Sequence, residues 1–225
     1  MKRNAFPRSL KAEASRQKGY SLIELSIALA IISVVIVGSL VGVQRILANN
    51  RANNLLAEIP RINAALVGAA VNSGDFSQIN TLRAAALGAF SPTTVKWDAS
   101  NTKVDVSNAF GGKLYIQGST ANFDGVDGED RGYIVVATGI PNDMCATVVN
   151  GLAPLAQVMW VTPGTASTGS GSGASTNYDT PTNNANPGGL VKGPLANASV
   201  DLTKLAEECR SGTSSSREIH AFVAI

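Results

Sequence analysis

A single carboxylate, Glu24, stands near the start of an otherwise apolar run in KGYSLIELSIALAIISVVIVGSLVG, residues 18–42. An acid in a bilayer costs roughly 2.5–3.5 kcal/mol at the centre on insertion scales and less near the end, so it is a functional candidate with a partner to be found. No basic residue occurs between Tyr20 and Gln44. Cutting the chain would make one. Cleavage in the junction Lys18-Gly19-Tyr20, after Gly19, leaves an α-amino group on Tyr20, four residues and one helical turn from Glu24. The chemistry on offer is a processing site and an amine–carboxylate pair.

Other chemistry is sparse. There is no HExxH, P-loop or G-x-S-x-G motif, and the one histidine, His220, has no matching cysteine or serine motif and is expected to be structural. The Gly/Ser run near Gly169 lacks the strand-to-helix context that dinucleotide binding needs. Asp124, Asp127, Glu129 and Asp130 gather in NFDGVDGEDRG. Their spacing misses the EF-hand pattern, and Asp-Gly pairs are ordinary turn formers, so calcium is the lesser reading. No enzyme activity, metal or other cofactor is expected.

The elements that must position Glu24 follow from charge and hydropathy. From Leu25 to Val43 no residue is charged, which as a helix spans roughly 30 Å, the thickness of a bilayer core. Lys2, Arg3, Arg8, Lys11, Arg16 and Lys18 precede the run against one Glu13, while only Arg45 and Arg51 follow closely. Basic flanks stay cytoplasmic, so the chain beyond the run is expected to be exported. Of 18 basic and 16 acidic residues, six and one fall before Tyr20, which leaves 12 and 15 and a formal charge of −3 for the rest. The net charge of +2 thus belongs to the tail and gives no argument for nucleic-acid binding. Three readings compete: a cleaved secretory signal, a plain signal anchor, and a processed helix in which Glu24 has a role. Ala28-Leu29-Ala30 has the residues of a signal cleavage site but lies inside the apolar run. An anchor leaves Glu24 unexplained.

KGYSLIELSIALAIISVV resembles the class III leader and N-terminal helix of type IV pilins and pseudopilins: a short basic leader, Gly19 at the cut, and Glu24 five residues after that glycine. The resemblance implies cleavage by a prepilin peptidase between Gly19 and Tyr20, usually with methylation of the new amine. It also implies assembly of the helix into a filament core, where Glu24 meets the Tyr20 amine of an adjacent subunit. Tyr20 departs from the phenylalanine or methionine commonest there, which argues against the commonest subclass.

Beyond Arg45 the pattern turns amphipathic. Leu55, Ile59, Ile62 and Leu66, continued by Ala69 or Ala70, form one stripe, with Arg51, Glu58 and Arg61 off it. Pro60 predicts a kink, and Asn72-Ser73-Gly74 a stop. Gly38 and Gly42 read either as close helix packing or as a segment able to unwind in a polymer. In the remainder, Ser77 is expected to cap a helix through about Leu87. TVKWD, KVDVS, GKLYIQG and RGYIVVAT read as strands. Asp143 is expected to cap a helix through about Leu152, followed by strand AQVMWVT, helix DLTKLAEEC and a last strand IHAFVAI. Residues 163–189 hold almost nothing that could be buried and read as a flexible surface loop. Two cysteines, Cys145 and Cys209, in an exported domain favour a disulfide, the alternative being two buried thiols.

Cysteines on a helix after ATGIPND and at the end of LAEEC are similar in placement to the disulfide-bounded region of type IVb pilins, and NAFGGKLYI to the segment between their second helix and sheet. The expected fold is α+β, a long N-terminal helix packed on an antiparallel-rich sheet with one disulfide. The expected organisation is a cleaved basic leader, 1–19; a transmembrane and filament-core half-helix, 20–44; an amphipathic half-helix, 45–72; and a head, 73–225, with the 163–189 loop inside the cysteine-bounded 145–209 region. The implied function is a structural subunit of a type IV pilus, serving adhesion, aggregation or conjugation. Its implied partners are identical subunits, the prepilin peptidase, the inner-membrane assembly platform and, before assembly, membrane lipid. The implied location is the bacterial inner membrane, N-terminus cytoplasmic, and then the extracellular pilus. The alternatives are a pseudopilin of a type II secretion machine and a membrane-anchored binding domain that never polymerises.

Overall fold

A computed structural model describes residues 20–73, 76, 79–100, 103–119, 123, 126, 131–164, 188–193, 198–210 and 212–224. The leader with Gly19, the proposed cap Ser77, the acids Asp124, Asp127, Glu129 and Asp130, and residues 165–187 of the expected loop with Gly169 lie outside the described residues.

The chain forms two compact units divided after Arg45. In the first, helix α1 (Leu22–Ser73) begins, and its side chains from Leu22 to Val43 are exposed. This one helix is long and apolar enough to cross a membrane. It continues as helix through Pro60, although a proline has no N–H for the Leu56 carbonyl.

In the second unit, α1 buries Ala52, Leu55, Ile59, Ile62, Leu66 and Ala70, the stripe that the 3.6-residue period requires. Its partner is a sheet of five strands, β3 (Leu114–Gly118), β4 (Gly132–Pro141), β7 (Ser216–Ala224), β5 (Val158–Pro163) and β6 (Leu190–Lys192), in that order and with every pairing antiparallel. Strands β1 (Val95–Trp97) and β2 (Val104–Val106) form a separate antiparallel pair. Helices α2 (Thr81–Ala86), α3 (Asn142–Leu152) and α4 (Leu202–Arg210) complete the unit.

Both faces of the central strands are buried, so they read as continuous apolar runs. Tyr133, Val135, Ala137, Met159, Val161, Ile219, Ala221 and Val223 join the stripe of α1 and the buried faces of α3 and α4 in one core. Their alternates Tyr115, Ile134, Val136, Val158, Trp160 and Phe222 form a second cluster on the other face, together with Phe123. Tyr133 also ties the sheet to α1, its hydroxyl donating to Asn63 Oδ1 at 2.9 Å.

The expected fold class is the one observed, and four local expectations are corrected. Helix α2 starts at Thr81, not Ser77, because Asn80 caps it by accepting the Arg83 N–H at 2.9 Å. Asp143 is not the cap of α3: Pro141 precedes that helix, and Asp143 sits in its first turn, where a carboxylate favours the positive helix end. The sheet takes both margins of the expected 163–189 loop, since Pro163 pairs with Arg217 and Gly189 leads into β6. The last strand starts earlier than expected, at Ser216.

Candidate functional site: the N-terminal helix and the disulfide-bounded head

The helix begins where the proposed chemistry lies. The Ser21 carbonyl accepts the N–H of Glu24 at 3.0 Å and of Leu25 at 3.1 Å, which places Glu24 in the first turn. The unsatisfied N–H groups and dipole of that end favour a negative charge. Tyr20 precedes the helix and is exposed. In this chain it carries a peptide N–H rather than an amine.

The other polar side chains of the run are treated differently. Ser26 donates to the Ile23 carbonyl at 2.8 Å, Ser33 to that of Leu29 at 2.6 Å, and Ser39 to that of Val35 at 2.8 Å. Each hydroxyl is satisfied by its own helix and needs no partner in an apolar medium. An ionised carboxylate only accepts, so helix carbonyls are useless to Glu24. The sequence gives no sign of this difference beyond residue type. Among the described residues nothing beyond the local helix lies within 4 Å of a Cβ added at Gly38 or Gly42.

In the head, Cys145 on α3 and Cys209 on α4 are disulfide-bonded, with Cα atoms 5.7 Å apart. Fully buried Arg217 on β7 donates from Nε to the Cys209 carbonyl at 3.3 Å, which sets a cation at the carbonyl end of α4. Lys192 on β6 donates to the carbonyls of Ala153 at 2.7 Å and Ala156 at 2.6 Å, beyond the end of α3. Burial pulls its pKa down. Strand β6 is thereby bonded to the turn that follows α3, at the opposite end of that helix from Cys145, a link that sequence inspection missed.

Asn108 was missed as well. Its amide donates to the carbonyls of Thr138 at 2.7 Å and Lys113 at 3.1 Å, and its Oδ1 accepts the N–H of Phe110 at 2.9 Å and Gly112 at 3.1 Å. One buried side chain thus fastens the turn before β3 to the bulge in β4 between Ala137 and Ile140. An asparagine before Ala-Phe-Gly-Gly is a turn signal, but only the fold supplies Thr138.

His220 is buried on β7, with Thr162 Oγ1 at 3.1 Å and Glu218 Oε2 at 4.0 Å from its Nε2. Burial lowers its pKa to about 4, which keeps the ring neutral at pH 7. Among the described residues no group of three or more His, Cys, Asp or Glu is placed to hold a metal ion.

Residues 14–40, with Gly19, Tyr20 and Glu24 among them, match the model of the prokaryotic N-terminal methylation motif. The motif covers the start of α1 and most of its apolar run. No curated protein sequence matches the chain. Among solved structures the chain is similar to TcpA, a type IV pilin from Vibrio cholerae El Tor biotype, with a TM-score of 0.49 and 13% identity over 78% of this chain and 99% of that one. It is also similar to the type IVb pilin from Salmonella typhi, with a TM-score of 0.45 and 13% identity over 75% of this chain and 97% of that one.

Proposed function

We propose that this chain is a structural subunit of a type IV pilus, held in the bacterial inner membrane by α1 until it is cut after Gly19 and polymerised into an extracellular filament. The observation that carries the reading is the methylation motif on a helix whose side chains from Leu22 to Val43 are all exposed, with one carboxylate in its first turn.

Three steps follow. The basic leader keeps the N-terminus cytoplasmic while the apolar half-helix spans the bilayer and the head is exported. A prepilin peptidase cuts between Gly19 and Tyr20, and the new Tyr20 amine, once methylated, becomes the cationic partner that the apolar run lacks. In the filament the Glu24 carboxylate of one subunit pairs with the Tyr20 amine of a neighbour. A subunit in the wrong register leaves a charge buried alone, at a cost of about 3–5 kcal/mol, so the pair sets the register of addition. Repetition of one heterologous contact then builds an open helix. The disulfide-bounded head, with its buried core, is what such a filament would display.

Mass spectrometry of the mature chain from a native host tests the first covalent step. The expected N-terminus is Tyr20, heavier by one methyl group. A competent protein that still begins at Met1 refutes the reading. The pseudopilin alternative shares this processing and is separated from it by electron microscopy of sheared surface material. Long filaments containing the chain support the pilus, and their absence from the surface of processed cells supports the secretion machine.

A further inference from the structure

Beside its buried stripe, α1 carries a second one that lines a cleft. Asn54, Ala57, Glu58 and Arg61 recur at the spacing of one helix face and border a cavity of about 490 Å³. Asn54, Ala57 and Arg61 are exposed and Glu58 is half-buried, so the cleft is open to solvent. Ser91, Thr93 and Thr94 before β1, and Ser107, Asn108 and Ala109 after β2, supply most of the remaining lining. Leu55 and Leu114, both buried, close it on the core side. The volume falls within the roughly 300–1,000 Å³ of small-molecule sites.

The lining is fixed before any ligand arrives. Glu58 Oε2 accepts the Ser91 N–H at 3.1 Å, which ties α1 to the turn before β1. Thr94 Oγ1 donates to the Ser91 carbonyl at 2.8 Å, and the Ser107 N–H donates to the Thr94 carbonyl at 2.9 Å. The Ser91 and Thr93 hydroxyls are 3.2 Å apart, and Asn108 is held by its four bonds. A site ordered in advance loses less entropy on binding. Ala57 and Ala109 fill little of the space between these polar groups, which leaves room for a ligand.

The chemistry of the lining narrows the ligand. Its only charged residues are Glu58 and Arg61, one of each sign. One carboxylate is too few for calcium, which takes roughly six to eight oxygens. A guanidinium one helical turn from a carboxylate is a poor seat for a phosphate. No lining residue is aromatic, so a flat heterocycle has nothing to stack on. What fits is a neutral molecule whose groups both donate and accept from one atom, as the serine and threonine hydroxyls here do. Carboxylate, amide and guanidinium are planar and two-pronged, and each can span two adjacent hydroxyls.

We infer that this cleft binds a neutral sugar ring, its adjacent hydroxyls bridged by Glu58, Asn54 and Arg61 and its C–H face turned toward Leu55 and Leu114. Without an aromatic platform the dissociation constant is expected to be on the order of 1 mM. A free sugar and the terminal unit of a surface glycan offer the same ring. Every lining residue belongs to the second unit, so the site does not require the chain to polymerise, and its failure leaves the pilus reading standing.

Saturation-transfer NMR on the full chain in dodecylphosphocholine micelles, a detergent without sugar, tests the site. The probes are the methyl glycosides of glucose, galactose, mannose and N-acetylglucosamine, with trialanine as a neutral peptide. Transfer to the ring protons of at least one glycoside is expected. It is expected to be lost in Ala57→Leu, whose larger side chain fills the cleft. In Glu58→Gln, which keeps an acceptor for the Ser91 N–H but loses a charge-assisted bond to the sugar, affinity is expected to fall roughly tenfold. An unchanged melting midpoint shows that each variant is folded, and should Ala57→Leu not fold, Glu58→Gln decides alone. Capture of the chain by beads carrying the same sugar through its anomeric carbon assigns the site to a surface glycan, and binding of the free glycoside alone assigns it to a soluble sugar. Absence of transfer to all four glycosides, transfer that neither variant reduces, or transfer to trialanine in place of the sugars overturns the inference.

Discussion

At the scale of single residues the head depends on buried polar groups that serve the backbone. Asn108 satisfies two carbonyls and two N–H groups. Replacing it with alanine leaves the Thr138 carbonyl and the Gly112 N–H, both in buried residues, without that partner, and each orphan costs about 1–3 kcal/mol. The Asn108→Ala chain is expected to lose about 2–4 kcal/mol of stability, read from the urea midpoint at an unchanged slope. A loss below about 0.5 kcal/mol would show that water takes over the amide's role. In NAFGGK, Gly111 has φ +87°, which glycine tolerates. The tightness at Gly112 was not legible in the sequence: an added Cβ there would lie 1.9 Å from the Thr138 carbonyl oxygen, an atom 26 residues away. Glu24 is the opposite case. Its oddity was visible from residue type alone, because an acid in an apolar run conflicts with its surroundings before any fold is known.

At the scale of elements, legibility tracked period and length. The stripe of α1 repeats over several turns and has one geometric solution, so its buried residues were readable. The strands YIVVA and VMWV were readable as strands, but not the order in which the sheet places them, which depends on pairings far apart in sequence. Strand β6 has three residues and no alternation to detect; β5 and the Lys192 bonds at the end of α3 define it. Helix α2, at six residues, is fixed by its Asn80 cap and by the Thr81 hydroxyl, which donates to the Ile116 carbonyl at 3.1 Å and accepts the Ile116 N–H at 3.0 Å. That hydroxyl also blunts the edge of β3. The disulfide joins elements 64 residues apart, and closing a loop of that length stabilises by roughly 4 kcal/mol in the chain-entropy model. The double variant Cys145→Ser with Cys209→Ser is accordingly expected to melt well below the parent, and adding reductant to the parent should reproduce the loss. If the serine variant melts with the parent, the link between α3 and α4 is carried by packing of Val148, Leu205 and their neighbours instead.

At the scale of the whole molecule, the two units make separate demands on one chain. The second is held by a core that includes fully buried Ile62, and Ile62→Ala removes packing worth about 2–5 kcal/mol. Between Leu22 and Val43 the first contributes no buried apolar side chain, and Glu24 belongs to it. Substitutions at the two sites are therefore expected to act on different observables and to add without coupling when combined. Glu24→Gln should leave the melting midpoint of the head and the proposed cut before Tyr20 unchanged while filaments become few, because the amide keeps the shape of the side chain and loses the charge proposed to set register. Ile62→Ala should be cut at the same bond and show a lowered midpoint, with filament yield falling only as far as folded head is lost. Melting by circular dichroism, N-terminal mass and filament yield from the same cultures separate the cases. A lowered midpoint in Glu24→Gln would tie the carboxylate to the fold of the head, and abundant filaments from that variant would remove the charge from assembly and leave the apolar helix to polymerise by packing alone.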